Sequence, residues 1–555
     1  MPNHEKLLEA GRRLRQQRLV RARAQRVAVV FTVAVLVSGC TTLGPEFKTP
    51  ESDVQEEWLD AQSPEFKPEA PPDDGRWWTV FGDPVLDRLI EVAYQQNLTL
   101  KQAGLRILEA RAQLGIAVGS LYPQQQQATA DSTYVRASRN AANTAGGDLN
   151  FWNHDVGLTA GWEIDFWGRF ARGIESADAS LLASVASYDD VLVGLTAQVA
   201  AAYITVRTFE ERIAIATGNI KLQERGLRLA RVRYRNGDTT ELDVNQAETL
   251  LRGTQASVPS FESGRRQAIN ALATLLGVTP LEAYALIEAP SEKPGLIPVA
   301  PPEVAVGIPA DLLRRRPDVR LAELQAWAQS ALIGVAQADL YPSIALFGTI
   351  GLNTGGSTNT SRNGSVDLGD LFDTDALRFS GGPSLTWNVF NYGRIKNSVR
   401  VQDARLQQLL VNYQNTVLRA GQEVEDAMAG FLQSQRQAEF LKQGVAAAQR
   451  SVDIALVQYR DGATDYTTVL DTQRSLLSQQ DQFTATRGSI AQNLVSMYRG
   501  LGGGWQIREG QEFVSEETRA VMRERTDWGG LLDPEAVEDI PSPDEARETL
   551  RKPDW

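Results

Sequence analysis

The sequence predicts an α+β membrane protein: a trimeric 12-stranded transmembrane β-barrel, four strands per chain, continued by a long α-helical coiled-coil tunnel and built from two internal structural repeats. Three observations predict it. Motifs recur in one order: Leu121-Tyr122-Pro123 as Leu340-Tyr341-Pro342, the octapeptide Trp162 to Arg169 as Trp387 to Arg394, and Tyr234-Arg235-Asn236-Gly237 as Tyr459-Arg460-Asp461-Gly462, the last two pairs at one offset of 225 residues. Long apolar heptads follow each octapeptide. Four short segments carry strand-like or repeat-matched positions, and four strands cannot close around an aqueous pore. An open sheet in hydrocarbon leaves edge groups unsatisfied, so three chains must share one ring.

The first forty residues read as an address. Eight basic side chains (Lys6, Arg12, Arg13, Arg15, Arg18, Arg21, Arg23, Arg26) precede an apolar run, Val27 to Val37, which is too short to span a bilayer. Residues 1–39 are therefore a signal peptide. Val37-Ser38-Gly39-Cys40 resembles a bacterial lipobox, which makes Cys40 the acylated mature N-terminus. Thr41 rather than Asp after it favours the outer membrane by the same resemblance. Several acyl chains anchor stably where one binds marginally. A soluble periplasmic protein cut nearby is the alternative.

Composition excludes several classes. The 555 residues hold 56 Lys+Arg and 69 Asp+Glu, a net charge of −13, with one Cys and two His. No intrachain disulfide and no zinc site of the usual Cys/His type is possible. Without residues 1–39 the net charge is −19 and His154 is the only histidine. Catalysis by a histidine base is nearly excluded, and an acidic chain is a poor nucleic-acid binder. No catalytic set, metal cluster or phosphate loop is present in the sequence, so neither an enzyme nor a cofactor is expected beyond the lipid on Cys40.

The organisation then follows. Residues 40–84 form an N-terminal anchored segment. Repeat 1, 85–277, holds a helix, strands at about 124–136 and 153–167, and a long helical hairpin. A Pro-rich connector, 278–315, leads to repeat 2, 316–503, with a helix, strands at about 342–353 and 377–390, and a second hairpin. The seam Leu192, Leu195, Val199, Ala202, Val206 continues to Ile220 and reappears from Val417 to Val445; another runs from Val244 to Leu275, where Pro259 predicts an interruption and a kink. Asn236-Gly237 and Asp461-Gly462 are natural helix ends. Residues 505–555 carry 14 acidic and seven basic residues, so 504–555 is expected to be a largely disordered tail, with a partner-binding tail as the alternative.

The period-two segments place His154, Val156, Leu158, Ala160, Trp162, Ile164 and Phe166 on one face, opposite Asp155, Gly157, Thr159, Gly161, Glu163 and Asp165. A half-buried soluble strand or a barrel strand with lipid outside and water inside both fit. Residues 343–352 and 377–389 alternate likewise, with Leu385, Trp387 and Val389 expected to face lipid and Ser384 and Thr386 the lumen. Residues 124–136 are polar and align by repeat position only. Gly/Asn/Ser-rich stretches join the strands of each pair, and Trp162, Trp167, Trp387 and Tyr392 gather at one end as an interfacial belt would.

From about Cys40 to Gly503, these features together resemble the TolC-like outer membrane factors, on the branch of NodT-type efflux lipoproteins that serve RND pumps. The Arg314-Arg315-Arg316-Pro317-Asp318 and Val469-Leu470-Asp471-Thr472-Gln473-Arg474 segments add to the match. The resemblance implies a homotrimeric barrel in outer membrane lipid, a periplasmic helical tunnel, a periplasmic adaptor and an inner-membrane RND-type transporter as partners. The expected role is a passive exit duct for small molecules. A type I protein-secretion channel and a periplasmic lipoprotein scaffold are the alternatives.

A duct through the outer membrane must shut at its periplasmic end. The helix turns after Tyr234 and Tyr459 are the far tips, so Asp243 and Asp471, placed in the first turns beyond, would each form a ring of three carboxylates in a trimer. The resemblance puts gate carboxylates around Asp471 and, in some members, a second Asp where this chain has Thr468. Asp243 is expected to pair with Tyr459 or a nearby Arg. Favourable charge at a helix N-terminus explains both Asp equally well. Asn236, Gly237, Asp238, Asp461, Gly462 and Ala463 are the candidate adaptor contacts, with a plain solvated turn as the alternative.

Overall fold

The structure, a computed structural model, describes residues 42–51, 54–67, 75–140, 149–288, 296–307, 315–357 and 368–533. The signal peptide, Cys40 and residues 534–555 lie outside the described residues.

In chain order the elements are β1 (Phe66–Lys67), α1 (Pro84–Gln96), α2 (Leu98–Gly119), β2 (Gln125–Arg136), β3 (Asn150–Ile164), α3 (Arg169–Arg235), α4 (Glu241–Leu276) and α5 (Pro280–Glu288). Then come β4 (Val304–Ala305), α6 (Pro317–Ala338), β5 (Ser343–Ser357), β6 (Leu377–Thr386), α7 (Arg394–Arg460), α8 (Tyr466–Gly500) and α9 (Glu516–Arg525). Helix, two strands, long helix and returning helix thus occur twice in the same order. The first helix of the earlier set is split at Asn97, whose side chain accepts from Leu100 N (2.8 Å) and donates to Leu275 O (2.8 Å). The connector expected to be only Pro-rich contains α5 and β4, and β4 pairs in parallel with β1.

α3 and α7 are 67 residues each, roughly 100 Å at ~1.5 Å per residue. Both start after a left-handed glycine, Gly168 (φ 72°) or Gly393 (φ 82°), and both end in a turn with Gly237 (φ 81°) or Gly462 (φ 75°). Every predicted seam residue of α3, α4 and α7 is buried or half-buried. α4 returns along α3, α8 returns along α7, and α8 also packs on α3, so the two hairpins lie side by side. α4 continues as a helix through Pro259. Pro259 itself is exposed, while Phe261 beside it is held under the Arg212 guanidinium, 4.4 Å from the ring centre. The main core gathers where α1, α2, α6 and the N-terminal segment wrap the upper part of α3, around Trp77, Trp78, Leu86, Tyr203 and Trp327.

The four long strands form one antiparallel sheet in the order β2-β3-β5-β6. Two predicted strand ends are corrected. β3 stops at Ile164 rather than 167, because the Asp165 carboxylate turns to accept from Phe170 N (3.1 Å) and Ala171 N (2.8 Å) at the start of α3. β6 stops at Thr386 rather than 390, where Val389 N folds back onto Trp387 O (3.0 Å); Trp387 and Val389 are therefore outside the strand.

The expectation of a disordered tail from 504 is also corrected. Residues 505–533 are folded against α2 and α3. Arg508 forms a buried ion pair with Asp189 of α3, and Met522, Val514 and Leu532 pack on Leu108 of α2. A high charge count misleads when a charge finds a partner and aromatics cover it: the Arg508 guanidinium lies 5.4 Å from the Trp505 ring centre and 5.3 Å from that of Phe513.

Candidate functional site: the uncovered sheet and the hairpin tips

Two regions carry functional geometry, about 100 Å apart by the length of α3. The first is the sheet. Cross-strand register puts Leu158, Ile350 and Phe379 in one row, and Trp162, Leu346 and Pro383 in another on the same face. The opposite face carries the row Thr159, Thr349 and Ser380 and the ion pair of Asp155 with Arg378 (2.5 Å). The predicted segregation of apolar and polar faces therefore holds across three strands. Among the described residues no α-helix packs on either face, and Leu158, Ile350 and Phe379 are 60%, 54% and 82% exposed. β2 and β6 are edge strands. Apart from the turns at 368–376, which pack on β5, the described residues leave most of both faces and both edges uncovered, and such a sheet needs a covering to be stable.

Aromatic anchors bound this sheet. Tyr134 and Trp152 meet at one end, their ring centres 5.2 Å apart. At the other, Trp162 Nε1 donates to Leu121 O (3.1 Å) and Trp387 Nε1 to Leu340 O (3.0 Å), the same bond made in both halves of the chain. Trp167 Nε1 adds a bond to Pro342 O (2.8 Å). Here the N-terminal segment docks: Thr42 lies directly on Gly168, Leu43 N donates to Trp167 O (3.1 Å), and Arg172 Nε donates to Leu43 O (2.9 Å). Cys40 is two residues upstream, within roughly 7 Å of chain from Thr42 at the usual Cα spacing.

The second region is the pair of hairpin tips. All six predicted tip residues, Asn236, Gly237, Asp238, Asp461, Gly462 and Ala463, are exposed. Just behind them the hairpins are tied. Tyr459, 1% exposed at the end of α7, donates its hydroxyl to Asp243 Oδ2 in the first turn of α4 (3.2 Å), and Thr239 Oγ1 donates to the same oxygen. Burial pushes the Tyr459 phenol above its ordinary pKa, so it stays a protonated donor to the carboxylate. Its ring packs edge-on to Tyr466, 5.2 Å between centres.

The structure thus brings Asp243 and Tyr459 together, as expected, but not Asp471. Asp471 lies in the second turn of α8, 68% exposed by side chain, and meets Arg474 of its own helix at 3.8 Å. Thr468 is occupied locally: its N–H and hydroxyl both donate to Asp465 Oδ1 at 3.1 Å, in a helix cap. Sequence reasoning missed Arg233. Its guanidinium stacks 4.6 Å from the Tyr459 ring centre and donates to the Tyr459 carbonyl, a cross-hairpin contact that only the fold reveals. One signal was available: at the 225-residue offset its counterpart is Gln458, a break in symmetry next to the conserved-in-repeat Tyr.

The family model described as outer membrane efflux protein matches residues 89–278 and 308–503. The chain is 33% identical over 437 residues to the pyoverdine export outer membrane protein OpmQ of Pseudomonas putida, covering 78% of this chain and 89% of that protein. It is 29% identical over 478 residues to the probable outer membrane lipoprotein SilC of Salmonella typhimurium, covering 86% and 98%. Among solved structures, the outer-membrane channel OprN superposes with a TM-score of 0.75 at 30% identity, covering 84% of this chain and all of that one.

Proposed function

The chain belongs to the outer membrane efflux protein family, and from that premise we propose that three copies close a 12-stranded barrel in the outer membrane, continued into the periplasm by their helical hairpins. The protein is an outer membrane efflux channel. It supplies a passive exit duct to a tripartite pump whose adaptor meets the exposed tips and whose inner-membrane transporter, of the RND type, selects the cargo. The two similar halves of each chain act as structural repeats, and the duct needs no catalytic residue.

One observation carries the reading: the dimensions and chemistry of the bare sheet. Trp152 and Trp162 stand on its apolar face ten positions apart along β3. Ten residues span about 34 Å along a strand, or about 26 Å across a bilayer at a tilt near 40°, matching the apolar band between aromatic girdles. Pairing β6 of one copy with β2 of the next removes both edges. Acylation of Cys40 would then enter lipid beside the Trp162 and Trp167 end. At the far end, the Asp243–Tyr459 contact acts as a closing tie, and Asp471 contributes an exposed carboxylate ring.

The test is cellular. Deleting the gene in cells that keep the adaptor and pump should raise retention of pump substrates and dyes, and a plasmid copy should restore their export. Unchanged export in the deletion strain would remove this reading.

A further inference from the structure

We propose that the cleft around Asp190, far from the tips, binds the charged group of an organic cation in transit; this rests on the channel reading above and names a cargo class for it. The cleft forms where two pairs of helices meet end to end. α4 leads into α2 through the Asn97 amide on Leu275 O (2.8 Å), and α8 leads into α6 through Arg316 Nη1 on Gly500 O (2.6 Å). Between these junctions lies a space of about 440 Å³, a usual size for a small-molecule site. α3 presents Asp190, Gly194 and Gln198 to it, α6 Asp318, α7 Glu423 and α8 Arg499. The terminal segments pack on the other side of this helix layer. Tyr203, nearly opposite Asp190 around α3, donates to Asp83 (2.7 Å) at the start of α1, and Asp189 turns to Arg508. On α7, Glu425 accepts from Leu59 N (3.0 Å), whereas Glu423, roughly 200° round the helix, lines the cleft. In a closed ring of three copies the cleft therefore opens on the bore.

The charges in the cleft do not balance. Three carboxylates, Asp190, Asp318 and Glu423, face two guanidiniums, Arg316 and Arg499. Arg316 is fully engaged: besides Gly500 O, it donates through Nε (2.9 Å) and Nη2 (2.7 Å) to Asp318 and through Nη2 (3.1 Å) to Glu423. Asp190 has no hydrogen bond or ion pair among the described residues. Loss of bulk water first, and the Asp318 charge second, raise its carboxyl above the ordinary range, and Arg316 and Arg499 offset this only in part. A cation brought into the cleft supplies the missing countercharge. Its chemistry follows from the walls. Among the described residues no three His, Cys, Asp or Glu side chains are placed to hold a metal ion, so a bare metal lacks its ligands here. Val191, Leu195 and Leu275 add apolar wall, and Gln198 adds an amide. An ammonium or iminium group carried on an apolar body matches that combination of one under-neutralised carboxylate and hydrocarbon.

The experiment titrates the full-length protein in detergent with ethidium, a planar organic cation, reads binding by fluorescence polarisation, and records the same preparations in planar bilayers. Wild type should bind ethidium, and Asp190→Asn should bind it several-fold more weakly. Gly194→Met should weaken binding too, by filling the cleft while keeping the charge; a Cβ there meets only Gln198 Nε2, at 3.8 Å, so the helix accepts it. Glu109→Gln, which removes an exposed carboxylate of α2 bonded to Gln113 (3.1 Å), should match wild type. Ethidium affinity unchanged in either cleft variant would overturn the site, as would an equal loss in Glu109→Gln. If wild type conducts but binds ethidium no better than Asp190→Asn, the cleft alone fails; if wild type never conducts, the channel reading fails and takes the cleft's place on the bore with it.

Discussion

Arg508 grips Asp189 through both Nε and Nη2, the latter at 2.9 Å from Oδ2, and the two side chains are 4% and 3% exposed. The residues are 319 positions apart, so this one pair fastens the C-terminal segment to the long helix α3. Removing one partner strands a buried charge. Arg508→Ala should destabilise the fold by about 3–5 kcal/mol. Thermal unfolding in detergent checks this, and trypsin should cut the released segment after Arg519 or Arg523 in the variant before it does so in wild type.

The two faces of β3 should respond oppositely to the same charge. Leu158→Arg puts a cation on the apolar face midway between Trp152 and Trp162, and should cost about 2–4 kcal/mol of barrel stability. Thr159→Arg, one residue on, should leave stability nearly unchanged and alter ion selectivity instead. Heat-modifiable electrophoretic mobility measures the first effect and reversal potentials in bilayers the second.

At the tips, Tyr459→Phe keeps the ring under Arg233 and deletes only the bond to Asp243. A hydrogen bond to a charged group contributes roughly 1.5–3 kcal/mol, so the open fraction should rise about tenfold or more. Asp243→Asn should act in the same direction, and the double variant should add little to either single one. Asp471→Ala, whose carboxylate stands in solvent, should shift cation preference more than resting conductance. Single-channel recording separates these outcomes.

Cys40→Ser should abolish acylation, read as the loss of lipid mass in the intact protein. If the proposed barrel forms, its apolar face rather than the lipid would provide most of the membrane affinity, so the variant should still fractionate with the outer membrane.

The sequence made the local patterns legible. Heptads such as Leu192 to Ile220 and alternation such as Val156 to Trp162 depend on neighbours a few residues apart, and the structure buries the former and lays the latter on one face. What sequence did not disclose depends on partners far along the chain. Arg233 bonds a carbonyl 226 residues away, which no side-chain pattern marks. The segment after Gly504 reads as disordered by charge, because Asp189 and the Trp505 and Phe513 rings that accommodate Arg508 come together only in the fold. Asp243 and Asp471 look equivalent in sequence, yet one meets Tyr459 and the other faces solvent, because Tyr459 belongs to the hairpin that packs beside Asp243. The strand ends were misjudged where a polar residue, Asp165, left the pleat to cap a helix.

Native mass spectrometry of the detergent-extracted protein, paired with end-on electron micrographs, tests the shared barrel most directly. Three copies and a threefold projection around a central pore are the predicted result. A single-copy mass, or a projection lacking threefold symmetry, would contradict it.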